Sequence, residues 1–370
     1  MHNDFMHNDG DHNKLKTLGH CLIIFTLAKI VLLGEWLFVV HTSMSFIDSI
    51  MRYDSWWFKS IAEHGYMHSV LLNDPIRPGQ ANWAFFPLFP LLVKVVSSIG
   101  VSTYVAAIIV NQSELFLSLY FAYLLALNHL PARAAIFVPL SIAMSPGNTW
   151  FLAAYSDITF LFLTILAFYC LTVRRYWCFA IVGYFLSMSR FVGFLIIIPL
   201  LIHYWRKHMS HKSQICALML QLLIVISGLL SFMLVLYLVM GDPWAYYHIQ
   251  SAWGHLGTNW VSQPWQSIMS TWNSGVDHDR ICLILLPVWL LILVIERYYE
   301  EAAFSFMCML APLAAGSLWS FSRYALGLYP LYFAIALVAR KNYLFGLGVL
   351  IITVVIQAYY WSIWLTGGWV

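Results

Sequence analysis

Four charged residues, far apart in the chain, each stand at the edge of an apolar run: Asp54, Asp157, Arg190 and Arg323. An ionisable side chain in such a place is costly unless it faces a partner or a wet cavity. Asp54 lies in Arg52-Tyr53-Asp54-Ser55-Trp56-Trp57-Phe58-Lys59-Ser60-Ile61-Ala62-Glu63-His64-Gly65-Tyr66. Apolar residues at 53, 56, 57, 61 and 65–66 suit a short amphipathic helix on a membrane surface, ended by Gly65. At its head Asp54 either caps free N–H groups or takes a proton from an attacking hydroxyl. Asp157 closes Ala154-Tyr155-Ser156-Asp157 and opens an apolar run, where it either caps a helix or supports a site. Arg190 stands in Ser187-Met188-Ser189-Arg190-Phe191-Val192-Gly193. It is either a phosphate clamp, because a guanidinium fork matches phosphate oxygens, or a side chain snorkelling to the interface. Arg323, in Ser322-Arg323-Tyr324, falls where the positive-inside rule disfavours Arg, which invites a functional explanation.

Aromatic residues crowd the flanking loops. Trp56 and Trp57 follow Asp54, while Trp244, His248 and Trp253 lie in the stretch Gly241–Gly254. Ring faces suit the C–H-rich faces of sugars, and the same residues equally suit an interfacial belt. None of the fourteen His stands in a spaced zinc set. There is no P-loop, GxGxxG or GxSxG. The six Cys lie in or beside apolar runs with no CxxC pair, the pattern of buried free thiols.

The elements that must position these residues follow from composition. Of 370 residues 61% are hydrophobic and 9% charged, against about 25% charged in a soluble domain. That excludes a soluble globule, a disordered chain and a coiled coil, and long apolar runs argue against an outer-membrane barrel. Nineteen Lys and Arg are too dilute for a nucleic-acid face. The expectation is an all-α polytopic membrane protein with about 9–12 transmembrane helices. Residues 1–14, polar and His-rich, read as a disordered cytosolic tail, and 15–370 as one integrated membrane domain. Loops 41–82 and 241–279 are assigned to the outer face, because Arg174/Arg175, Arg206/Lys207/Lys212 and Arg340/Lys341 belong in the cytosol. Two stretches resist a simple count. Pro87 and Pro90 make 83–99 partly re-entrant or interfacial, and Ser187–Arg190 interrupts 178–204.

These motifs together resemble the PIG-V family, that is, GPI mannosyltransferase II and its bacterial relatives, within the GT-C superfamily. The likeness runs from about residue 50 to the C-terminus. It rests on Tyr53-Asp54 with Ile61-Ala62-Glu63-His64-Gly65-Tyr66, and on Phe85-Phe86-Pro87-Leu88-Phe89-Pro90. It rests further on Ser145-Pro146, Tyr155-Ser156-Asp157, Arg190–Gly193, Gly241–Gly254, and Arg323-Tyr324 with Pro330. Tyr53 replaces the family's usual Trp, and Asp157 its usual Glu. The resemblance implies a GT-C fold and transfer of mannose from a polyprenyl-phosphate mannose donor to a glycan or glycolipid acceptor at the membrane. It implies Asp54 as base, with Arg190 and Arg323 on the donor phosphate. Asp157, Tyr155, Glu63, His64 and Tyr324 would support the site, and Trp56, Trp57, Trp244, His248 and Trp253 would hold sugar. A divalent ion, if used, would take Asp54 and Asp157 as ligands. A bacterial inner membrane with a periplasmic site is expected, or the endoplasmic reticulum in a eukaryote. A transporter or flippase, or a non-catalytic subunit of a glycosylation complex, is the alternative reading.

Overall fold

The computed structural model describes residues 10–39, 45–208, 211–253, 263–274, 277–314, 318 and 320–368. Residues 1–9 of the expected tail, and 41–44, 254–262 and 275–276 of the expected outer loops, lie outside that description. Among the described residues every regular element is helical. Helix α1 spans Gly10–Val39 and so takes in residues 10–14 of the expected tail.

Two short helices follow, α2 (Phe46–Ile50) and α3 (Ser55–His64). Helix α3 is amphipathic as expected: Trp57, Phe58, Ile61 and Ala62 are buried, whereas Glu63 and His64 face outward. It ends at Gly65, whose φ of 78° is cheap only for glycine. Helix α4 (Leu88–Ser97) has ten residues, about 15 Å of rise, too few to cross a bilayer. Pro87 is its N-cap, and Pro90 falls in its first turn, where a missing N–H costs no helical hydrogen bond.

Helix α5 (Thr103–Leu127) leads through α6 (Ala132–Ala135), α7 (Phe137–Ala143) and α8 (Asn148–Leu152) to α9 (Asp157–Thr172). The break between α7 and α8 is stabilised by side chains. Asn148 Nδ2 donates to the carbonyls of Ala143 at 2.7 Å and Ser145 at 3.0 Å, and Ser145 Oγ meets the Tyr332 hydroxyl at 2.8 Å. Such breaks survive at membrane depth only where protein satisfies the backbone.

The interruption in 178–204 separates α10 (Tyr176–Ser187) from a 3₁₀ segment (Phe191–Ile196) and α11 (Ile197–Arg206). Gly193 makes the turn: a Cβ there would lie 2.0 Å from the Leu186 carbonyl oxygen. Then come α12 (Lys212–Met240), α13 (Ala245–His248), α14 (Gln263–Ser274), α15 (Asp277–Ile295), α16 (Tyr299–Ala314), α17 (Phe321–Leu326), α18 (Tyr329–Lys341) and α19 (Tyr343–Leu365). By length and composition α1, α5, α12 and α19 suffice to cross a membrane, accompanied by shorter apolar helices. Their large outward-facing side chains, such as Leu22, Leu223 and Ile352, suit hydrocarbon.

The main apolar core joins α1, α5, α7, α9 and α10 with α15 to α18. A second core of Trp150, Tyr155, Trp361, Trp364 and Ile50 packs α19 against the segment that leads into α3. Trp364 Nε1 donates to the Ile50 carbonyl at 3.3 Å, Arg52 Nη2 to the Leu365 carbonyl at 3.1 Å, and the Tyr53 hydroxyl to Gly367 at 2.8 Å. The end of α19 thereby fixes the chain just before Asp54.

Candidate functional site

Asp54 is the N-cap residue of α3 by position, yet its side chain makes no capping hydrogen bond. Its Oδ2 instead accepts from Arg323 Nη1 at 2.9 Å. Of the two readings of Asp54, capping is therefore not the one the side chain takes. The preceding residue, Tyr53, holds a left-handed φ of 49°. For a bulky residue that conformation costs about 1–3 kcal/mol, and contacts to Gly367 and the Trp364 ring, 5.3 Å away, hold it. The strain turns the chain sharply into α3 and aims Asp54 inward.

Arg323, on α17, spends three nitrogens on two carboxylates. Nε lies 3.0 and 3.1 Å from the Asp157 oxygens, Nη2 lies 3.0 Å from Asp157 Oδ2, and Nη1 serves Asp54. Its guanidinium stacks over Tyr155 at 4.4 Å. The Tyr155 hydroxyl accepts from Asp54 N at 3.1 Å and donates to the Arg52 carbonyl at 3.3 Å. Arg190 reaches the same carboxylate from the break after α10, with Nη2 2.7 Å from Asp157 Oδ2. Beside it lie the rings of Phe160 and Tyr324, at 5.6 and 5.7 Å. Two carboxylates and two guanidiniums from four distant segments thus form one neutral cluster. Pairing is what makes its burial tolerable, since a lone ion there would cost several kcal/mol.

The cluster is graded in exposure. The Asp157 side chain is 1% exposed, Arg323 10%, Arg190 12% and Asp54 20%. Asp54 is therefore the carboxylate that opens outward, and its Oδ1 carries no hydrogen bond among the described residues. Beside the cluster stands another acid, Asp279. It is buried and accepts from the N–H of Ser322, beside Arg323, at 2.8 Å. Its position just before an apolar run is the signal that matches Asp157.

Other expected site residues stand apart. Glu63 and His64 lie at the opposite end of α3, about 14 Å of helical rise from Asp54. There Glu63 accepts from Thr103 Oγ1 at 2.5 Å, and the His64 side chain is 78% exposed. Trp244 is exposed, and His248 pairs with Asp242 at 2.8 Å on the protein's surface. Partial burial works against the Asp242 charge, but hydrogen bonds from His248 and the Trp244 N–H hold its carboxyl below the usual range. Trp57 and Trp253 do meet. Trp57 stacks on Phe85 at 5.9 Å, and Trp253 approaches both rings at 6.0 and 6.1 Å. Trp56 packs edge-on against Trp57 at 4.7 Å.

Asp54 and Asp157 are separated by the Arg323 guanidinium, and no group of three His, Cys, Asp or Glu that could hold a metal gathers among the described residues. As arranged, this donor set does not fit a divalent ion, because cationic side chains already fill the space between its carboxylates.

No protein-family model matches the chain. Over 145 residues it is 30% identical to mouse GPI alpha-1,6-mannosyltransferase 2, covering 35% of this chain and 27% of that enzyme. The matched stretch is thus about a quarter of the mouse protein's length. Among solved structures, ArnT from Cupriavidus metallidurans bound to undecaprenyl phosphate superposes with a TM-score of 0.55 at 11% identity, over 92% of this chain and 75% of that one. The archaeal oligosaccharyltransferase AglB from Archaeoglobus fulgidus, in complex with an inhibitory peptide and a dolichol-phosphate, gives 0.56 at 13% identity, over 92% and 56%. At such identities the likeness speaks for the fold: this chain is an all-α membrane protein with the GT-C fold.

Proposed function

We propose that this protein is a membrane glycosyltransferase that moves mannose from a polyprenyl-phosphate mannose donor to a membrane-associated glycan or glycolipid. The observation that carries the reading is Asp54. It is a carboxylate turned away from its helix cap, steadied by Arg323 and left with one oxygen open. The partial identity to a GPI mannosyltransferase supports mannose, and the polyprenyl and dolichol phosphates bound by the two fold relatives support a lipid-phosphate donor. We take residues 15–370 as one catalytic unit, set in a bacterial inner membrane with Asp54 on the periplasmic side.

Asp54 accepts the proton of an acceptor hydroxyl as its oxygen attacks the anomeric carbon. The bond from that carbon to the phosphate oxygen breaks, and polyprenyl phosphate leaves with the electron pair. One displacement inverts the anomeric centre and needs one placed base. The arginines divide the remaining work. Arg323, its donors spent on Asp54 and Asp157, is a positioning residue. Arg190 commits only Nη2 among the described residues and sits at a helix break, so it meets the leaving phosphate.

The test is transfer of labelled mannose from polyprenyl-phosphate mannose into membrane lipid extract by the purified protein. Asp54→Asn should reduce transfer by about a hundredfold or more at unchanged protein level and detergent profile. Unaltered transfer would reject Asp54 as base. Donor translocation that survives the substitution, with no transfer by either protein, would replace the enzyme by a transporter.

A further inference from the structure

The helix ends farthest from the Asp54 cluster gather cations. Helix α9 begins at Asp157 and runs 16 residues towards the turn of Arg174 and Arg175, about 24 Å of rise. From Arg190, six residues of 3₁₀ and ten of α-helix lead to Arg206, up to about 27 Å away. Both lengths approach the roughly 30 Å hydrocarbon core of a bilayer, so this end meets the leaflet opposite the cluster. Its helix ends are tied together. The Tyr176 hydroxyl meets His203 Nε2 at 3.1 Å and accepts from Lys207 Nζ at 3.2 Å. Arg206 reaches Glu300 at 2.7 Å, and Arg340 and Lys341 reach Glu296.

Glu296 and Glu300 are thereby spent, and cations are left over. Among the described residues no carboxylate pairs with Arg174, Arg175, Lys207 or Arg297. Arg174 and Arg297 hold left-handed φ values of 60° and 63°, a conformation glycine takes most cheaply. Each turn therefore carries a cation where glycine would fold at lower cost.

Beside these cations an apolar groove opens. Ile202 and Trp205 of α11, Leu290 and Val294 of α15, and Ala303 and Phe306 of α16 line a volume of about 500 Å³. Arg206 and Tyr299 close its charged end, the guanidinium 5.3 Å from the ring. Arg297 stands in the turn between Val294 and Tyr299, which both line the groove. Trp205 is 77% and Phe306 51% exposed, so the groove is open sideways, towards the hydrocarbon. From Tyr299 to Phe306 the helix rises about 10 Å, roughly two thirds of one leaflet's depth. An apolar slot alone accepts any lipid chain. Arginines at its mouth select a negative headgroup, because basic pockets between helices hold anionic lipids.

We propose that this groove binds an anionic glycerophospholipid of that leaflet, with one acyl chain along α16 and the phosphate between Arg297 and Arg206. Arg206 spends only Nη1 on Glu300 among the described residues, which leaves its other N–H groups for the phosphate. The inference stands on the membrane fold and not on the sugar-transfer reading.

The experiment is native mass spectrometry of the delipidated full chain in detergent, titrated separately with phosphatidylglycerol, phosphatidylcholine and undecaprenyl phosphate. Wild type should hold its first phosphatidylglycerol about tenfold more tightly than phosphatidylcholine. Arg297→Gln and Arg206→Gln should each weaken phosphatidylglycerol about fivefold and leave phosphatidylcholine unchanged. Ala303→Trp, which fills the groove, should weaken both phospholipids. Equal affinity of wild type for the two phospholipids would overturn the headgroup assignment, as would a preference that survives both arginine substitutions. Loss of the preference in the arginine variants, with Ala303→Trp binding like wild type, would place the lipid outside the groove and overturn the site. An effect of the arginine variants on undecaprenyl phosphate alone would give the groove to a polyprenyl lipid and overturn the proposal. The arginine variants alter exposed side chains, so they carry the test if Ala303→Trp does not fold.

Discussion

The molecule holds two kinds of arginine–carboxylate clusters, made of the same groups and differing in what surrounds them. In one, Arg323 and Arg190 converge on Asp157 and Asp54, from segments separated by up to 269 positions, with side chains no more than 20% exposed. In the other, Arg206 meets Glu300 at 2.7 Å, and Arg340 and Lys341 meet Glu296. Arg206 is 42% and Lys341 64% exposed, and these pairs lie at helix ends. Exposed pairs gain little, because water screens them and two long side chains must be ordered. Buried pairs are interdependent, since removing one partner leaves the other as an uncompensated charge. The contrast separates an ion network that can set up chemistry from one that trims a surface.

The strongest challenge to this contrast is Asp157→Ala. It removes the carboxylate shared by Arg190 and Arg323 and leaves both guanidiniums short of a partner. We expect a loss of about 3–5 kcal/mol, seen as a lower unfolding temperature in detergent, together with loss of the proposed sugar transfer. Thermal behaviour equal to wild type would mean that the cluster is not held together by Asp157. Asp54→Asn should act differently. Its side chain is the most exposed of the four charged groups, and Arg323 keeps three contacts to Asp157 without it. Activity should fall by about two to four orders of magnitude while the unfolding temperature stays near wild type. A drop in both would make Asp54 a structural ion and remove the base from the mechanism.

Between those two and the surface lies Gly193→Ala. The added Cβ would sit 2.0 Å from the Leu186 carbonyl oxygen, a backbone atom that cannot rotate away. Overpacking of this kind costs about 1–3 kcal/mol, and here it would shift the turn that delivers Arg190. The expected signature is a moderate fall in unfolding temperature with a raised KM for the lipid-phosphate donor. An unchanged KM would detach Arg190 from donor binding.

Much of this architecture was legible in the residues. Apolar runs marked the helices because a span must be long and apolar. The prolines at 87 and 90 marked a segment too short to cross, and Ser187–Arg190 marked a real break. Asp54, Asp157, Arg190 and Arg323 stood out because charge beside an apolar run demands a partner. The sequence did not show which partner each would take. Arg323 resembled a phosphate ligand, but its nitrogens are spent on carboxylates, a fact that depends on how α17 sits against α9 and α3. Glu63 and His64 share a motif with Asp54, yet a helix carries them to its other end. Trp244 and His248 are close in sequence to Trp253 but stay at the surface.

The mildest expectation is Glu300→Gln. Glu300 faces Arg206 at 2.7 Å and His203 at 3.9 Å, where the Arg206 guanidinium also lies over the Tyr299 ring at 5.3 Å. Losing the charge leaves Arg206 in water-accessible surroundings with its ring contact intact. The expected change is within about 1 kcal/mol, with the proposed sugar transfer unaffected and a difference in unfolding temperature that shrinks as salt rises. If Glu300→Gln instead destabilised the protein as much as Asp157→Ala, exposure would not be what distinguishes the two clusters. The buried network would then lose its special standing as a site, because an ion pair with no route to substrate would behave in the same way.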